Sequence, residues 1–258
     1  MNSIEKDSYL REKFAGKPVS EVEYCDEEKN KLVIFDFDET LVQSKDMFFN
    51  ANKRAMEILN LPHNDYIVSN IFILVNSEYL GWGKDLKEQG EIYENLYAPL
   101  VTKLSNTEEF LNQVKFYNVM HSVIKELVKL NIALAVASSR DLYSILSVLK
   151  REGVKGYFDI IEATEGGKNF RDKPDTHIVQ YISQEVGVPL EKAVMVGDSK
   201  CDIEMGKSAG MKTIGVGFGA FTSLEKMKSC RPNVLLSRKE ELKDIPVHIK
   251  YLLNQKSK

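Results

Sequence analysis

The segment from residue 31 to residue 41, KLVIFDFDETL, constrains the fold of this chain more than any other. Its four consecutive apolar residues, Leu32–Phe35, predict a fully buried strand of a parallel sheet. Asp36 and Asp38 follow at once, and ligands bind such sheets beyond the carboxyl ends of the strands. If the strand geometry continues, both carboxylates lie on one face, where a cation or a shared proton must offset their repulsion. The segment therefore predicts a functional site.

Two different patterns follow this strand. Residues 46–115 are predicted to be helical throughout, with a first helix that ends at Leu61-Pro62 and further helices near 64–75, 86–104 and 107–115. From residue 118 onward, helices and apolar strands alternate. This alternation predicts an α/β fold, a Rossmann-like doubly wound parallel sheet with helices on both faces. We therefore predict an N-terminal extension (1–30), a core (31–45 and 116–258) and an inserted all-α cap domain (46–115).

The alternating part allows individual elements to be placed. Asp141 is predicted to be the N-cap of a helix that ends near Gly153. The predicted strands are 132–137, 160–161, 193–196, 213–216 and 233–236, and the predicted helices include 119–130, 174–186 and 201–209.

Composition and charge exclude several classes of protein. Of the 258 residues, 43% are hydrophobic, which supports a sizeable core and argues against general disorder. The net charge of −3 gives no general attraction for nucleic acid. The start of the chain is too polar for a signal peptide, and the apolar stretch 66–75 is too short to span a membrane. Three scattered cysteines, Cys25, Cys201 and Cys230, fit a reducing cytoplasm better than a disulfide framework.

Three further polar segments are expected at the same edge of the sheet as the two acids. The sequence SSR (138–140) follows one predicted strand and GDSKCD (197–202) follows another, while Lys173 directly precedes the helix predicted from Pro174. Together they supply carboxylates, hydroxyls and an ammonium group. Carboxylate oxygens suit Mg²⁺, and positive charge must neutralise a phosphoryl dianion before a nucleophile approaches. The set therefore predicts phosphoryl transfer.

In order and spacing, these segments are similar to the motifs of the haloacid dehalogenase-like phosphotransferase superfamily. The helical insert resembles the class I cap of that superfamily, in the branch that contains phosphoglycolate phosphatases and β-phosphoglucomutases. The similarity extends from residue 31 to about residue 245. Asp38 argues against true dehalogenases, and Asp202 argues against the β-phosphoglucomutase pattern. Glu39 departs from the glycine that is common at its position in small-molecule phosphatases.

The resemblance implies catalytic and phosphate-binding roles. Asp36 would be the nucleophile that forms an aspartyl-phosphate. Asp38 would protonate the leaving oxygen and then deprotonate the hydrolytic water. Thr40 would support this loop and belong to the phosphate-binding set, and Ser138 and Lys173 would hold the phosphoryl oxygens.

The cofactor that the resemblance implies is Mg²⁺. Asp36 and Asp198 would bind it through their carboxylates, and Asp38 through its backbone carbonyl. Asp202 would act through a water or by orienting the direct ligands. An ordinary solvated helix residue is the alternative for Asp202.

Several site residues have open alternatives. Ser138 and Ser139 compete for one phosphate-binding role, with Ser138 favoured because it lies nearer the strand end, and an N-cap is the alternative. For Lys173, the alternative to a phosphate-binding role is that of an ordinary surface lysine. In the insert, the segment GWGK (81–84) suits a loop facing the active site. The resemblance implies that this loop, with Trp82 and Lys84, selects the substrate, but simple packing of Trp82 is an equal alternative.

The resulting hypothesis is a cytoplasmic, Mg²⁺-dependent phosphatase that hydrolyses a small phosphorylated metabolite, with no nucleic-acid or membrane partner. One alternative is a β-phosphoglucomutase-like phosphomutase that uses the same covalent intermediate. Another is a catalytically silent binding protein on the same scaffold. Because every group required for the chemistry is present, the sequence favours an enzyme.

Overall fold

A parallel six-stranded sheet forms the centre of the structure, a computed structural model that describes residues 29–74, 78–168, 170–219 and 222–254. Its strands are β1 (Leu32–Phe35), β4 (Ala133–Asp141), β5 (Ile160–Glu165), β6 (Ala193–Gly197), β7 (Lys212–Val216) and β8 (Val234–Leu236). The spatial order is β5-β4-β1-β6-β7-β8, and every neighbouring pair is parallel. The predicted fold class is therefore confirmed.

Apolar residues of β1 alternate between two buried clusters, one on each face of the sheet. Val33 and Phe35 belong to the larger cluster, and Leu32 and Ile34 to the smaller. Both faces of the strand are covered, which is why it reads as a continuous apolar run. The helices of this part are α6 (Asn118–Lys129), α7 (Leu142–Arg151), α8 (His177–Val186), α9 (Lys200–Ser208), α10 (Leu224–Ser229) and α11 (Ile245–Asn254).

A helical insert, residues 45–111, leaves the sheet after β1. It contains α1 (Lys45–Ile58), α2 (Asp65–Leu74), α3 (Leu86–Ile92), a π-helical turn (Tyr93–Tyr97), α4 (Ala98–Ser105) and α5 (Glu108–Leu111). The π-helical turn interrupts the helix predicted at 86–104. Pro99 in the first turn of α4 lacks the N–H that a regular helix would use there, which gives a local reason for the wider turn.

Two short antiparallel strands, β2 (Val42–Gln43) and β3 (Lys115–Phe116), join the insert to the sheet. The prediction of helix up to residue 115 is therefore wrong at its end, since α5 stops at Leu111 and the chain then pairs with β2. The division into extension, core and cap remains a prediction. Most of the predicted extension lies outside the described residues, as does Cys25.

Other elements differ from the predictions in detail. The helix predicted from Pro174 begins at His177, whose backbone N–H is bound by the Asp175 carboxylate at 2.9 Å. Helix α11 was not predicted. Asp141 does cap α7, because its carboxylate accepts the backbone N–H of Ser144 at 3.1 Å. Among the helices that the structure describes, none is both long and apolar enough to cross a membrane.

Candidate active site

The strand topology brings the predicted site residues together. Asp36 follows the central strand β1, and its backbone N–H donates to the carbonyl of Val196 on β6 at 2.8 Å. A cavity of about 460 Å³ separates this edge of the sheet from the helical insert. Six of the predicted site residues line it: Asp36, Asp38, Ser138, Ser139, Lys173 and Asp198.

Lys173 is the centre of a buried ionic network. Its Nζ donates to Oδ1 of Asp36 at 2.6 Å and to Oδ1 of Asp202 at 2.7 Å. The lysine side chain is only 5% exposed, which argues against a plain surface lysine. A buried ammonium between two carboxylates is compensated on both sides, and it fixes the orientation of the Asp36 carboxylate.

Asp202 is held by the start of helix α9. Its Oδ2 accepts from the backbone N–H of Ser199 at 3.0 Å and from the Ser199 hydroxyl at 2.6 Å, while Ser199 Oγ accepts the backbone N–H of Asp202. This reciprocal arrangement is a capping box with aspartate at its third helical position. Asp202 is fully buried, and both of its carboxylate oxygens have partners, so it orients Lys173 and is not a solvated helix residue.

Asp198 supplies an unused buried acceptor. In the part of the chain that the structure describes, its Oδ2 is inaccessible to solvent and makes no hydrogen bond. Carboxylate oxygens of Asp36, Asp198 and Asp202 lie within 4.8 Å of one another. A buried carboxylate oxygen without a donor is costly, and a hard cation would satisfy it. The donor set therefore fits Mg²⁺.

The loop after β7 approaches Asp198 closely because it carries a glycine. A Cβ atom built on Gly219 would lie 2.4 Å from Oδ2 of Asp198, well inside the contact distance. Any larger residue at position 219 would displace this carboxylate or the loop. Gly219 therefore shapes the carboxylate site, because it allows this loop to lie close to Asp198.

Excess negative charge and burial shift the pKa values of these groups. Burial raises the pKa of Asp36 to about 7, although Lys173 opposes the shift. Burial also raises the pKa of Asp198, and the nearby Asp36 and Asp202 add to the effect. Burial alone would lower the pKa of Lys173, but the carboxylates of Asp202 and Asp36 outweigh it and raise that pKa. The lysine is therefore a permanent cation, while the two acids favour binding of a further positive charge.

Asp38 contacts a residue to which the sequence analysis assigned no role. Arg140 Nη1 donates to Oδ1 of Asp38 at 2.9 Å, and Nη2 donates to the carbonyl of Ser105 at the end of α4 at 3.4 Å. Its guanidinium also lies 5.4 Å from the ring centre of Phe48 on α1. Its position directly after Ser138-Ser139 was the available signal, but the sequence does not reveal the partners of a single arginine.

The hydroxyl residues occupy different environments. Ser138 is buried beside the cavity, and its Oγ accepts the backbone N–H of Arg140 at 3.1 Å. Ser139 is exposed and also lines the cavity. Thr40 is fully buried and does not line the cavity, so the prediction that it belongs to the phosphate-binding set is corrected. Its role as support for the loop remains a prediction.

The predicted specificity loop in the insert does not reach the cavity. Trp82 is fully buried, packs at 5.0 Å between ring centres against Tyr97, and donates from Nε1 to the carbonyl of Pro62 at 3.0 Å. Lys84 is exposed and lies outside the cavity lining. The prediction that Trp82 and Lys84 select the substrate is therefore corrected in favour of packing, because the indole fills the interior of the insert.

Glu39 has a structural role. Its backbone is in the left-handed region, with φ of 54°, and its carboxylate accepts the backbone N–H groups of Ser44 and Lys45 at 2.7 and 2.8 Å. These donors lie at the start of α1. Glu39 therefore ties the loop that carries Asp36 and Asp38 to the first helix of the insert.

The structure combines a parallel sheet with a helical insert. Buried carboxylates and a lysine lie at the carboxyl ends of the strands, beneath that insert. This arrangement is typical of a class of α/β enzymes whose site binds a cation and an anion. The chain belongs to the haloacid dehalogenase-like hydrolase family, whose family model matches residues 33–216. The resemblance inferred from the motifs, and the prediction of a hydrolase, are confirmed.

Known proteins of this branch are similar along most of their length. A phosphoglycolate phosphatase of Aquifex aeolicus is 29% identical over 219 residues, which cover 82% of this chain and 94% of the relative. A phosphorylated carbohydrates phosphatase of Thermotoga maritima is 27% identical over 199 residues, 77% and 89% of the two chains. The crystal structure of a β-phosphoglucomutase from Clostridium difficile shares the fold, with a TM-score of 0.64 at 17% identity, over 86% of this chain and 96% of that one.

Proposed function

We propose that this protein is a Mg²⁺-dependent phosphatase that hydrolyses a small phosphomonoester through an aspartyl-phosphate on Asp36. The observation that carries the proposal is the arrangement at the floor of the cavity. There, Lys173 Nζ contacts Asp36, and a carboxylate oxygen of Asp198 lies within 4.8 Å of one of Asp36. Oδ2 of Asp198 is buried and has no hydrogen-bond partner among the described residues. Family membership and the named phosphatases among its relatives, two of which are described above, support the reaction class.

Asp36 is the nucleophile in this mechanism. Its carboxylate attacks the phosphorus atom, the bond to the leaving alkoxide breaks, and water later releases phosphate from the acyl-phosphate. Lys173 contributes a fixed positive charge next to the Asp36 carboxylate, and Ser138 lines the same cavity from the neighbouring strand β4. Mg²⁺ bound by Asp36 and Asp198 would supply positive charge that keeps Asp36 ionised and neutralises phosphoryl oxygens.

Asp38 performs the proton transfers. It lines the cavity, and it protonates the departing alkoxide before it removes a proton from the hydrolytic water. Arg140 donates a hydrogen bond to Oδ1 of Asp38. The other carboxylate oxygen of Asp38 then carries the proton that is transferred. We therefore assign Arg140 as a positioning residue for the acid and base.

The cavity favours hydrolysis over the phosphomutase alternative. A mutase must also bind the second phosphate of a sugar bisphosphate, which calls for a cation in the distal part of the site. Among the described residues that line the cavity, the cationic side chains are those of Lys173 and Arg140. Both are paired with carboxylates of the floor. A cytoplasmic location remains a prediction from the cysteine pattern.

The test measures phosphate release from a panel of phosphomonoesters with MgCl₂, for the wild type and for Asp36→Asn. We expect turnover of at least one ester, its loss on chelation with EDTA, and a fall of about three orders of magnitude or more in Asp36→Asn. Acid quenching during turnover of labelled substrate should place the label on the peptide that contains Asp36.

The matched control is Asp65→Asn, which removes the same charge from an exposed position in the insert. It should keep both its fold and its turnover. Full turnover by a folded Asp36→Asn protein would refute the mechanism. An isomerised sugar phosphate without phosphate release would establish the mutase, and an inactive wild type across the whole panel would favour a silent binding protein.

A further inference from the structure

We propose that the substrate is the phosphomonoester of a neutral alcohol, whose leaving group has an apolar or aromatic face and carries no second anionic group. This inference rests on the proposed function and names its substrate class. It depends on the wall of the cavity opposite the phosphoryl site, which is built by the helical insert.

That wall carries no charged side chain among the described residues that line the cavity. Its apolar and aromatic members are Phe48, Tyr93, Tyr97, Ala98 and Val101. Its polar members, Asn52, Thr102, Ser105 and Asn106, are amides and hydroxyls that hydrogen-bond to neutral groups. Burial of an uncharged leaving group against such a wall is favourable, whereas a carboxylate or phosphate there would lose its hydration without gaining a counter-charge.

The two cations that line the cavity are already committed. Lys173 is shared by Asp36 and Asp202 at the floor. The Arg140 side chain is 4% exposed, with Nη1 on Asp38 and Nη2 on the carbonyl of Ser105. Its Nε has no hydrogen-bond partner among the described residues but is inaccessible to solvent, so an anionic leaving group could reach the guanidinium only if the surrounding contacts opened.

Negative charge dominates the remaining lining. Five carboxylates line the cavity: Asp36, Asp38, Asp141, Glu165 and Asp198. Asp141 and Glu165, which both line the cavity, are paired neighbours on β4 and β5. A second anion on the substrate would face these carboxylates, and like charges in a partly buried site repel strongly.

The π-helical turn places an aromatic surface on the same wall. Tyr93 and Tyr97 both line the cavity, with ring centres 5.4 Å apart, and the Tyr97 hydroxyl donates to Oδ1 of Asn52 at 2.7 Å. Aromatic faces of this kind pack against rings and against the C–H groups of sugars. Of the two relatives described above, the one named for phosphorylated carbohydrates fits this wall better. The leaving group of phosphoglycolate carries a carboxylate, which this wall does not favour.

The test uses pairs of substrates in which one member carries an additional carboxylate on the leaving group. Glycerol 3-phosphate and 3-phosphoglycerate form one pair, and phenyl phosphate and 4-carboxyphenyl phosphate form the other. We expect kcat/KM to be higher for the neutral member of each pair by about tenfold or more. Equal or better turnover of the carboxylate members would overturn the inference and leave the phosphatase proposal standing, whereas no turnover of any ester would overturn that proposal first.

A charge-insertion variant tests the wall directly. Thr102 is half-buried in the lining, so Thr102→Lys adds a cation opposite the phosphoryl site. It should raise the ratio of kcat/KM for 3-phosphoglycerate over glycerol 3-phosphate by about tenfold. Leu86→Lys adds the same charge at an exposed position of the insert outside the lining, and should leave the ratio unchanged. An unchanged ratio in a folded Thr102→Lys protein counts against the inference, and the wild-type pairs decide the question if that variant does not fold.

Discussion

At the scale of single residues, Glu39 shows how a departure from a family pattern is accommodated. A left-handed backbone costs a residue with a Cβ about 1 kcal/mol or more relative to glycine. The carboxylate of Glu39 offsets this cost because it accepts two backbone N–H groups, of Ser44 and Lys45. Burial raises the pKa of Glu39, and these hydrogen bonds oppose the shift. The side chain thus stabilises the conformation that its own backbone makes costly.

This balance predicts an order of stability for substitutions at position 39. Glu39→Ala loses the acceptor and keeps the Cβ at positive φ, so its free energy of unfolding should fall by about 1–3 kcal/mol. Glu39→Gly loses the same acceptor but relieves the backbone, so it should lie between Glu39→Ala and the wild type. Urea unfolding of the three proteins measures the order. An alanine variant as stable as the wild type, or a glycine variant less stable than alanine, would contradict this account.

At the scale of elements, Arg140 connects three segments that meet at the cavity. It starts on β4, reaches Asp38 beyond β1, and contacts the insert at Ser105 and Phe48. Arg151 on α7 also reaches the end of the insert, through the carbonyl of Leu111, and the connection that follows it, through the carbonyl of Val114. Among its hydrogen bonds within the described residues, Arg151 has no contact with Asp36 or Asp38. Arg151 therefore attaches the insert, whereas Arg140 also positions Asp38, the proposed acid and base.

We expect Arg140→Gln to lower kcat by about tenfold or more, because Asp38 loses its partner, and to change the pH profile of kcat. Arg151→Gln should lower stability and leave that pH profile as in the wild type. Steady-state kinetics across pH on a single neutral ester make the comparison. If both variants change kcat and its pH dependence equally, Arg140 acts through the attachment of the insert alone.

The sequence predicted the sheet and the floor of the site because both depend on local patterns. An apolar run such as Leu32–Phe35 identifies a buried strand, and strand ends in a parallel sheet converge by topology. Asp36 and Asp198 could therefore be placed together from the sequence, and Lys173 could be added to them from its place in the order of motifs. The position of Trp82 could not, because a glycine-flanked aromatic residue in a connection suits an exposed loop and a packed one equally well. Arg140 and Glu39 were missed since their roles depend on partners that lie in other elements.

At the scale of the whole molecule, the buried acids couple stability to pH. The pKa of Asp36 is about 7 in the folded protein and about 3.8 in a free side chain. Between these values the folded protein holds a proton that the unfolded chain has released. Raising the pH through this window therefore lowers the contribution of Asp36 to the free energy of unfolding, and the raised pKa of Asp198 acts in the same direction.

Mg²⁺ should reverse this trend. A cation at Asp36 and Asp198 competes with the protons there, so MgCl₂ should raise the melting temperature more at pH 8 than at pH 6. Thermal unfolding with MgCl₂ or EDTA at both values measures the difference. Asp198→Asn should lose most of the response to Mg²⁺. An equal rise at both pH values, or an undiminished rise in Asp198→Asn, would contradict the proposed metal site.

The pairing of β2 with β3 has a consequence for how such enzymes diversify. Because Val42–Gln43 and Lys115–Phe116 are neighbours, the chain departs from the sheet and returns to it at a single point. Exchange of the intervening helices for those of a relative would change which alcohol is accepted while the reacting groups keep their framework. A chimaera joined at this ribbon is therefore a direct route to transplanting selectivity between members of the family.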